Sequence, residues 1–171
     1  MCPILGVMSR ERPDFDCSVH LQASFGGVEA RRFAAMLLRM YTRWAERVGL
    51  RREIGEIVGG EDGEVERATL KLAGEGLPAR LRGEAGAHRL VRLPPGETRR
   101  HASFVFVEVT APHDDAGAAS TSAAGEQART YVLHPSESVT DDRTGARTED
   151  AQAVFDGDLS PFLPDVAAQR P

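Results

Sequence analysis

Hydrophobic and polar residues alternate singly over 17–24: Val19, Leu21 and Ala23 fall on one side, Ser18, His20 and Gln22 on the other. That is the period of a half-buried strand. Phe25-Gly26-Gly27 interrupts the alternation, and the period then changes to three and four. Phe33, Met36, Leu37, Met40, Tyr41, Trp44 and Val48 make one apolar stripe, which predicts a helix over 28–48 with Gly49 as its stop. Alternation returns over 52–58 and 68–72, two strands joined by a turn rich in Gly, Asp and Glu. A short helix is expected over 77–82 and strands over 88–93 and 102–110, with a Pro/Gly/Arg tip at 93–100 between those two strands. From 111 to 127 the chain is Ala, Ser, Thr, Gly, Asp and Glu with almost nothing to bury, the composition of a linker. A last strand is expected over 128–133, then a turn-rich segment with Asp141, Asp142 and Gly145, then a helical piece over 151–166 broken by Gly157 and Pro161.

Length and composition frame these elements as one domain. The chain has 171 residues, 41% hydrophobic and 27% charged, enough for a core without disulfide or metal staples. Residues 1–15 read as a flexible lead and 16–171 as a single domain interrupted by the 111–127 linker. There is no long apolar run, so no membrane span is expected, and the apolar stretch after Met1 lacks the basic segment of a signal peptide. Cys2 and Cys17 have neither metal nor redox spacing, so a reduced, cytoplasmic location is expected.

Candidate chemistry is sparse. None of His20, His88, His101, His113 and His134 forms a helical metal pair, and no Ser or Cys sits in a nucleophile elbow. Neither metal, cofactor nor enzymatic activity is expected. The net charge of −5 hides a local excess of arginine; Lys71 is the lone lysine. Residues 31–52 carry seven arginines against Glu46, with Arg32, Arg39 and Arg43 along one flank of the expected helix. Residues 80–101 carry six arginines against Glu84 and Glu97. Planar guanidinium groups beside a histidine on a projecting loop suit phosphate contact and base stacking on single-stranded RNA.

Several ordered motifs then resemble one family. Gly26-Gly27-Val28-Glu29-Ala30, the 36–47 helix, Gly83-Glu84-Ala85-Gly86-Ala87-His88-Arg89-Leu90-Val91-Arg92 and Arg99-Arg100-His101-Ala102-Ser103-Phe104 resemble the codon-recognition domain of bacterial class I peptide chain release factors. The type that reads UGA and UAA is the nearer match. Arg129-Thr130-Tyr131-Val132-Leu133-His134-Pro135 and Gln152-Ala153-Val154-Phe155-Asp156-Gly157 resemble its C-terminal segment. The resemblance implies an α/β (α+β) domain, a mixed sheet carrying one long amphipathic helix and completed by the C-terminal segment.

The departures from the family bear on function. The Gly-Gly-Gln domain that promotes peptidyl-tRNA hydrolysis lies, in the family, where this sequence has only the 111–127 linker, and the family's helical N-terminal domain has no counterpart. Where the family's Ser-Pro-Phe belongs stands Leu93-Pro94-Pro95-Gly96, and Ala102 replaces the threonine of His-Thr-Ser-Phe. Ser160-Pro161-Phe162 lies far from the decoding loop. The expectation is a termination paralogue that binds the ribosomal A site or RNA without hydrolysing peptidyl-tRNA. The alternative is an mRNA-binding or protein-interaction factor on the same scaffold. The contact surface implied is Gly26, Gly27, Glu29, Arg89, Pro94, Pro95, Gly96, Arg99, Arg100 and His101.

Overall fold

The computed structural model describes residues 15–59, 62–112, 126–134 and 136–163. Residues 1–14 of the expected lead and 113–125 of the expected 111–127 linker lie outside the described residues. Within them the chain builds one eight-stranded sheet with a long helix against one face.

The strands are β1 Cys17–Ala23, β2 Arg51–Val58, β3 Arg67–Ala73, β4 Gly86–Arg92, β5 His101–Thr110, β6 Gln127–Val132, β7 Ser138–Asp141 and β8 Arg147–Thr148. Their order across the sheet is β2-β3-β1-β5-β4-β6-β7-β8. Neighbours are antiparallel except β4 and β6, which run parallel. The sheet is therefore mixed, as expected. Because β5 opposes β4 and β6 follows it, Thr110 and Gln127 emerge at the same end of the sheet, on either side of β4.

The helix α1, Val28–Arg47, lies where its 3.6-residue stripe demands. Phe33, Leu37, Met40, Tyr41 and Trp44 are buried. They meet the inward positions of the central strands, including Val19 and Leu21 of β1, Leu70 and Leu72 of β3, and Val105 and Val107 of β5. Met36 and Val48 are only partly buried against this core, while Leu38, outside the expected stripe, is buried. The helix ends in a Schellman arrangement: Leu50 N–H donates to the Ala45 carbonyl (2.9 Å) and Gly49 N–H to that of Glu46 (3.2 Å). Gly49 takes φ 75° to allow it.

Three expectations need correction. The turn-rich segment after residue 133 contains β7 and β8, so β6 is not the last strand. Both are short and flanked by turns, too brief for alternation to show. Among the described residues of the piece expected over 151–166, which end at Leu163, the helix is α3, Ala151–Phe155, capped by Asp150, whose carboxylate accepts from Ala153 N–H (2.9 Å). Turns follow to Leu163, since Gly157 and Pro161 fall within the next turns of chain. The expected 77–82 helix is α2, Leu77–Arg80, followed by a 3-10 turn, Arg82–Glu84.

Candidate functional site

The start of α1 and the tip of the β4–β5 hairpin meet at one end of the sheet. After β1, Ser24 N–H donates to the Phe104 carbonyl (2.9 Å), and Phe104 N–H donates to that of Phe25 (2.8 Å). Two successive residues thus face one residue of β5, and the chain then turns into the helix through Gly26 (φ 124°) and Gly27 (φ 57°). A Cβ on Gly26 would come within 2.8 Å of Ser103 Oγ, so this turn lies directly on β5 and requires glycine.

Glu29, in the first turn of α1, stands between two arginines. Arg92 Nη1 is 3.1 Å from one carboxylate oxygen and Arg32 Nη1 is 3.6 Å from the other. Arg92 ends β4 and is paired in register with His101, the first residue of β5. The loop 93–100 projects from that pair. It is folded by Glu97 N–H donating to the Pro94 carbonyl (3.1 Å) and by Gly96 at φ 80°. His101 Nε2–H donates to Glu97 Oε2 at 2.5 Å, and both side chains are about half exposed. Arg99 and Arg100 are exposed and make no ion pair among the described residues.

Of the residues expected at the contact surface, Gly26, Gly27, Glu29, Pro94, Pro95, Gly96, Arg99, Arg100 and His101 share this end of the sheet. Arg89 does not join them. It pairs with Phe104 and Thr130 on the face away from α1, one step out of phase with buried His88 and Leu90. The arginine flank of α1 is mostly tied up within the molecule. Arg31 pairs with Glu64 at 2.9 Å, Arg32 with Glu29, and Arg43 with Asp156 at 2.6 Å, while Arg39 remains exposed.

A second polar grouping, which sequence reasoning missed, is fully buried. Arg129 of β6 grips Glu84 through both terminal nitrogens, at 2.5 and 2.9 Å. Tyr41 O–H donates to Glu84 Oε2 at 2.7 Å. His88 Nε2–H donates to the Glu84 carbonyl (2.8 Å), which leaves Nδ1 to accept from Tyr131 O–H (3.2 Å). The Phe162 ring covers the guanidinium of Arg129 at 4.2 Å. Burial, and then the charge of Arg129, push the His88 pKa down to about 4, so the ring is neutral. Burial works against ionising Glu84, but the charge and hydrogen bonds of Arg129, with His88 and Tyr41, hold its carboxyl below the ordinary range. Burial pushes the Tyr131 hydroxyl up to about 12. The grouping ties α1, the 3-10 turn, β4 and β6 into one unit. Nothing in a single sequence marks Arg129 as inward; a basic residue in a strand ordinarily faces water.

Among the described residues, no cluster of three His, Cys, Asp or Glu is placed to hold a metal, and no helix is long and apolar enough to cross a membrane.

Comparison with known proteins bears on this arrangement. A family described as PCRF domain matches residues 6–107. Peptide chain release factor 2 of Chloroflexus aggregans is 30% identical over 241 residues, covering 92% of this chain and 66% of that protein. Peptide chain release factor 2 of Thermomicrobium roseum is 46% identical over 96 residues, covering 55% of this chain and 26% of that protein. The chain thus spans less than two thirds of the length of these relatives. RF2 of Thermus thermophilus superposes with a TM-score of 0.73 at 26% identity, over 91% of this chain and 69% of that one. On these matches the chain belongs to the PCRF-domain family of peptide chain release factors.

Proposed function

We propose that this protein is a release-factor-like termination paralogue that docks at the ribosomal decoding site through its hairpin tip and helix start, and that it does not hydrolyse peptidyl-tRNA. The observation that carries the reading is the open cationic tip. Arg99, Arg100 and His101 stand exposed beside the start of α1, with the two nearby carboxylates, Glu29 and Glu97, already held by Arg92, Arg32 and His101. Guanidinium groups so placed meet phosphate oxygens in pairs, and phosphate contacts fix position without reading sequence.

Two features support the non-hydrolytic part. The sequence contains no Gly-Gly-Gln run. The match to the Chloroflexus aggregans factor extends over 241 positions, more than this chain possesses, so that protein carries residues inside the matched span that have no partner here. Thr110 and Gln127 border the interval in which the chain is shortest of apolar residues. Thr110 lies about 30 Å from His101 along the ten residues of β5, and Gln127, level with Phe106 through Ala87, stands roughly half that far along the strand direction. Positioning and any chemistry attached at that interval would be well apart.

Docking without base reading agrees with the tip itself. Leu93-Pro94-Pro95-Gly96 offers only backbone groups for hydrogen bonding, and Ala102 has no hydroxyl. Side-chain hydrogen-bonding groups of the kind missing here supply discrimination of about 1–3 kcal/mol per good base contact on the DNA scale. The test is co-sedimentation with ribosomes over a range of salt concentrations. Association at low salt that falls steeply as salt rises is expected; failure to sediment at low salt overturns the docking. Peptide release from ribosome-bound peptidyl-tRNA by the purified protein overturns the non-hydrolytic assignment.

A further inference from the structure

Phe25 is 72% exposed, the most exposed large hydrophobic residue among those described. It does not stand alone. Val28 and Leu93, at 41% and 37%, lie at the same end of the sheet, so three of the six exposed large hydrophobics among the described residues share the end that bears the hairpin tip. Scattered apolar residues on a surface need no explanation, but three at the end of the sheet that also carries the exposed Arg99 and Arg100 do.

The backbone at Phe25 is fixed on both sides. Its carbonyl and the Ser24 N–H are both bonded to Phe104, and the next residue is pressed against Ser103 through a turn that only glycine tolerates. The aromatic ring is therefore presented from a rigid seat, and little backbone freedom remains to be lost on binding. An aromatic face held at the same end of the sheet as the exposed Arg99 and Arg100 has the makings of a single-strand site: cationic groups take the phosphates, and the ring takes a base face without regard to its identity.

We infer that Phe25 is a stacking platform for an unpaired RNA base, a contact that supports docking where the base-reading groups of the loop are absent. The inference rests on the ribosome-docking reading above. A stacking contact stabilises binding by about 1–3 kcal/mol per base, so Phe25→Ala should weaken ribosome association about 5- to 140-fold.

The experiment is a ribosome co-sedimentation titration at fixed low salt with the wild-type chain, Phe25→Ala, Phe25→Leu and Phe25→Trp. Thermal melting confirms that each variant is folded, which exposure of the side chain favours. The expected pattern is loss with Ala and Leu and retention with Trp, since Trp keeps a flat π surface and Leu keeps only apolar volume. Wild-type affinity for Phe25→Ala, with the wild type itself sedimenting, overturns this inference and leaves the docking reading standing. Wild-type affinity for Phe25→Leu overturns it in favour of an apolar contact with protein. No sedimentation of the wild type removes both.

Discussion

The molecule uses arginine, carboxylate and histidine twice, to opposite effect. In the interior, Arg129, Glu84 and His88 are closed off, with every charge facing its partner and aromatic rings around them. At the hairpin tip, Arg92, Glu29, Glu97 and His101 make pairs of the same kind in partial contact with water, and Arg99 and Arg100 are left over. Residue type does not distinguish the two; burial does. A buried pair is costly to form and more costly to break, because the survivor is left without water or a counter-charge. An exposed pair contributes at most about 1 kcal/mol and exchanges partners readily. The first arrangement holds β6 to β4 and α1. The second leaves the tip available to another molecule.

Breaking the buried pair should give the largest effect. Arg129→Leu strands Glu84 and should destabilise the fold by about 3–5 kcal/mol in urea unfolding, a large share of the roughly 5–15 kcal/mol available to a domain. Removing all three groups together, in a Glu84→Met, Arg129→Met and Tyr41→Phe variant, should recover most of that loss, because no buried group is then left unpaired. A triple variant as unstable as the single one would show that the interior depends on these charges rather than merely tolerating them.

The same interior should respond to pH. His88 has a folded pKa of about 4 against an ordinary value of 6.5. Between those values the unfolded chain binds a proton that the folded chain refuses, so stability is full above pH 6.5 and falls as pH drops toward 4. The loss over that window is about 3 kcal/mol. The Glu84 carboxyl, held below its ordinary value, adds a loss of the same sign at lower pH. His88→Gln should flatten the urea-midpoint profile between pH 6.5 and 4; an unchanged slope would place the titration elsewhere.

At the tip the order of effects reverses, with binding moved and stability left in place. Arg99→Ala with Arg100→Ala should change stability by no more than about 0.5 kcal/mol. It should weaken ribosome sedimentation and lower the salt slope by roughly 1 for each arginine removed. An unaltered slope would mean that neither guanidinium meets a phosphate.

The elements that sequence made legible are those whose signal is local. The apolar stripe of α1 and the alternation of β1 and β5 are periods within one segment, and both lie within a residue or so of where they were expected. The motif-bearing tip was legible for the same reason, since Gly26-Gly27, Arg99, Arg100 and His101 are short runs with a recognisable order. What could not be read is set by distant partners. Arg43 looks like a free cation until Asp156, 113 residues on, folds back to it. Arg129 looks like a surface residue until Glu84 and Phe162 enclose it. Phe25 reads as part of the break that follows the first strand, and only the surface of the folded chain reveals its exposure.

The smallest effect, and the finest test of the contrast, concerns Glu97. Its carboxylate accepts from His101 at 2.5 Å, with both side chains nearly half exposed, so water competes for the contact. Glu97→Gln should therefore change stability by less than about 1 kcal/mol. Binding should move the other way, because a negative charge two residues from Arg99 opposes the approach of phosphate and its acceptor occupies the histidine. Ribosome association should strengthen modestly, most visibly at low salt and fading as salt screens the tip. The matching change inside, Glu84→Gln, removes one charge from the same kind of pairing and should cost the fold several kcal/mol, because Arg129 is then the uncompensated partner. Equal stability losses in the two variants would erase the distinction between a pair that holds the fold and a pair at the exposed tip.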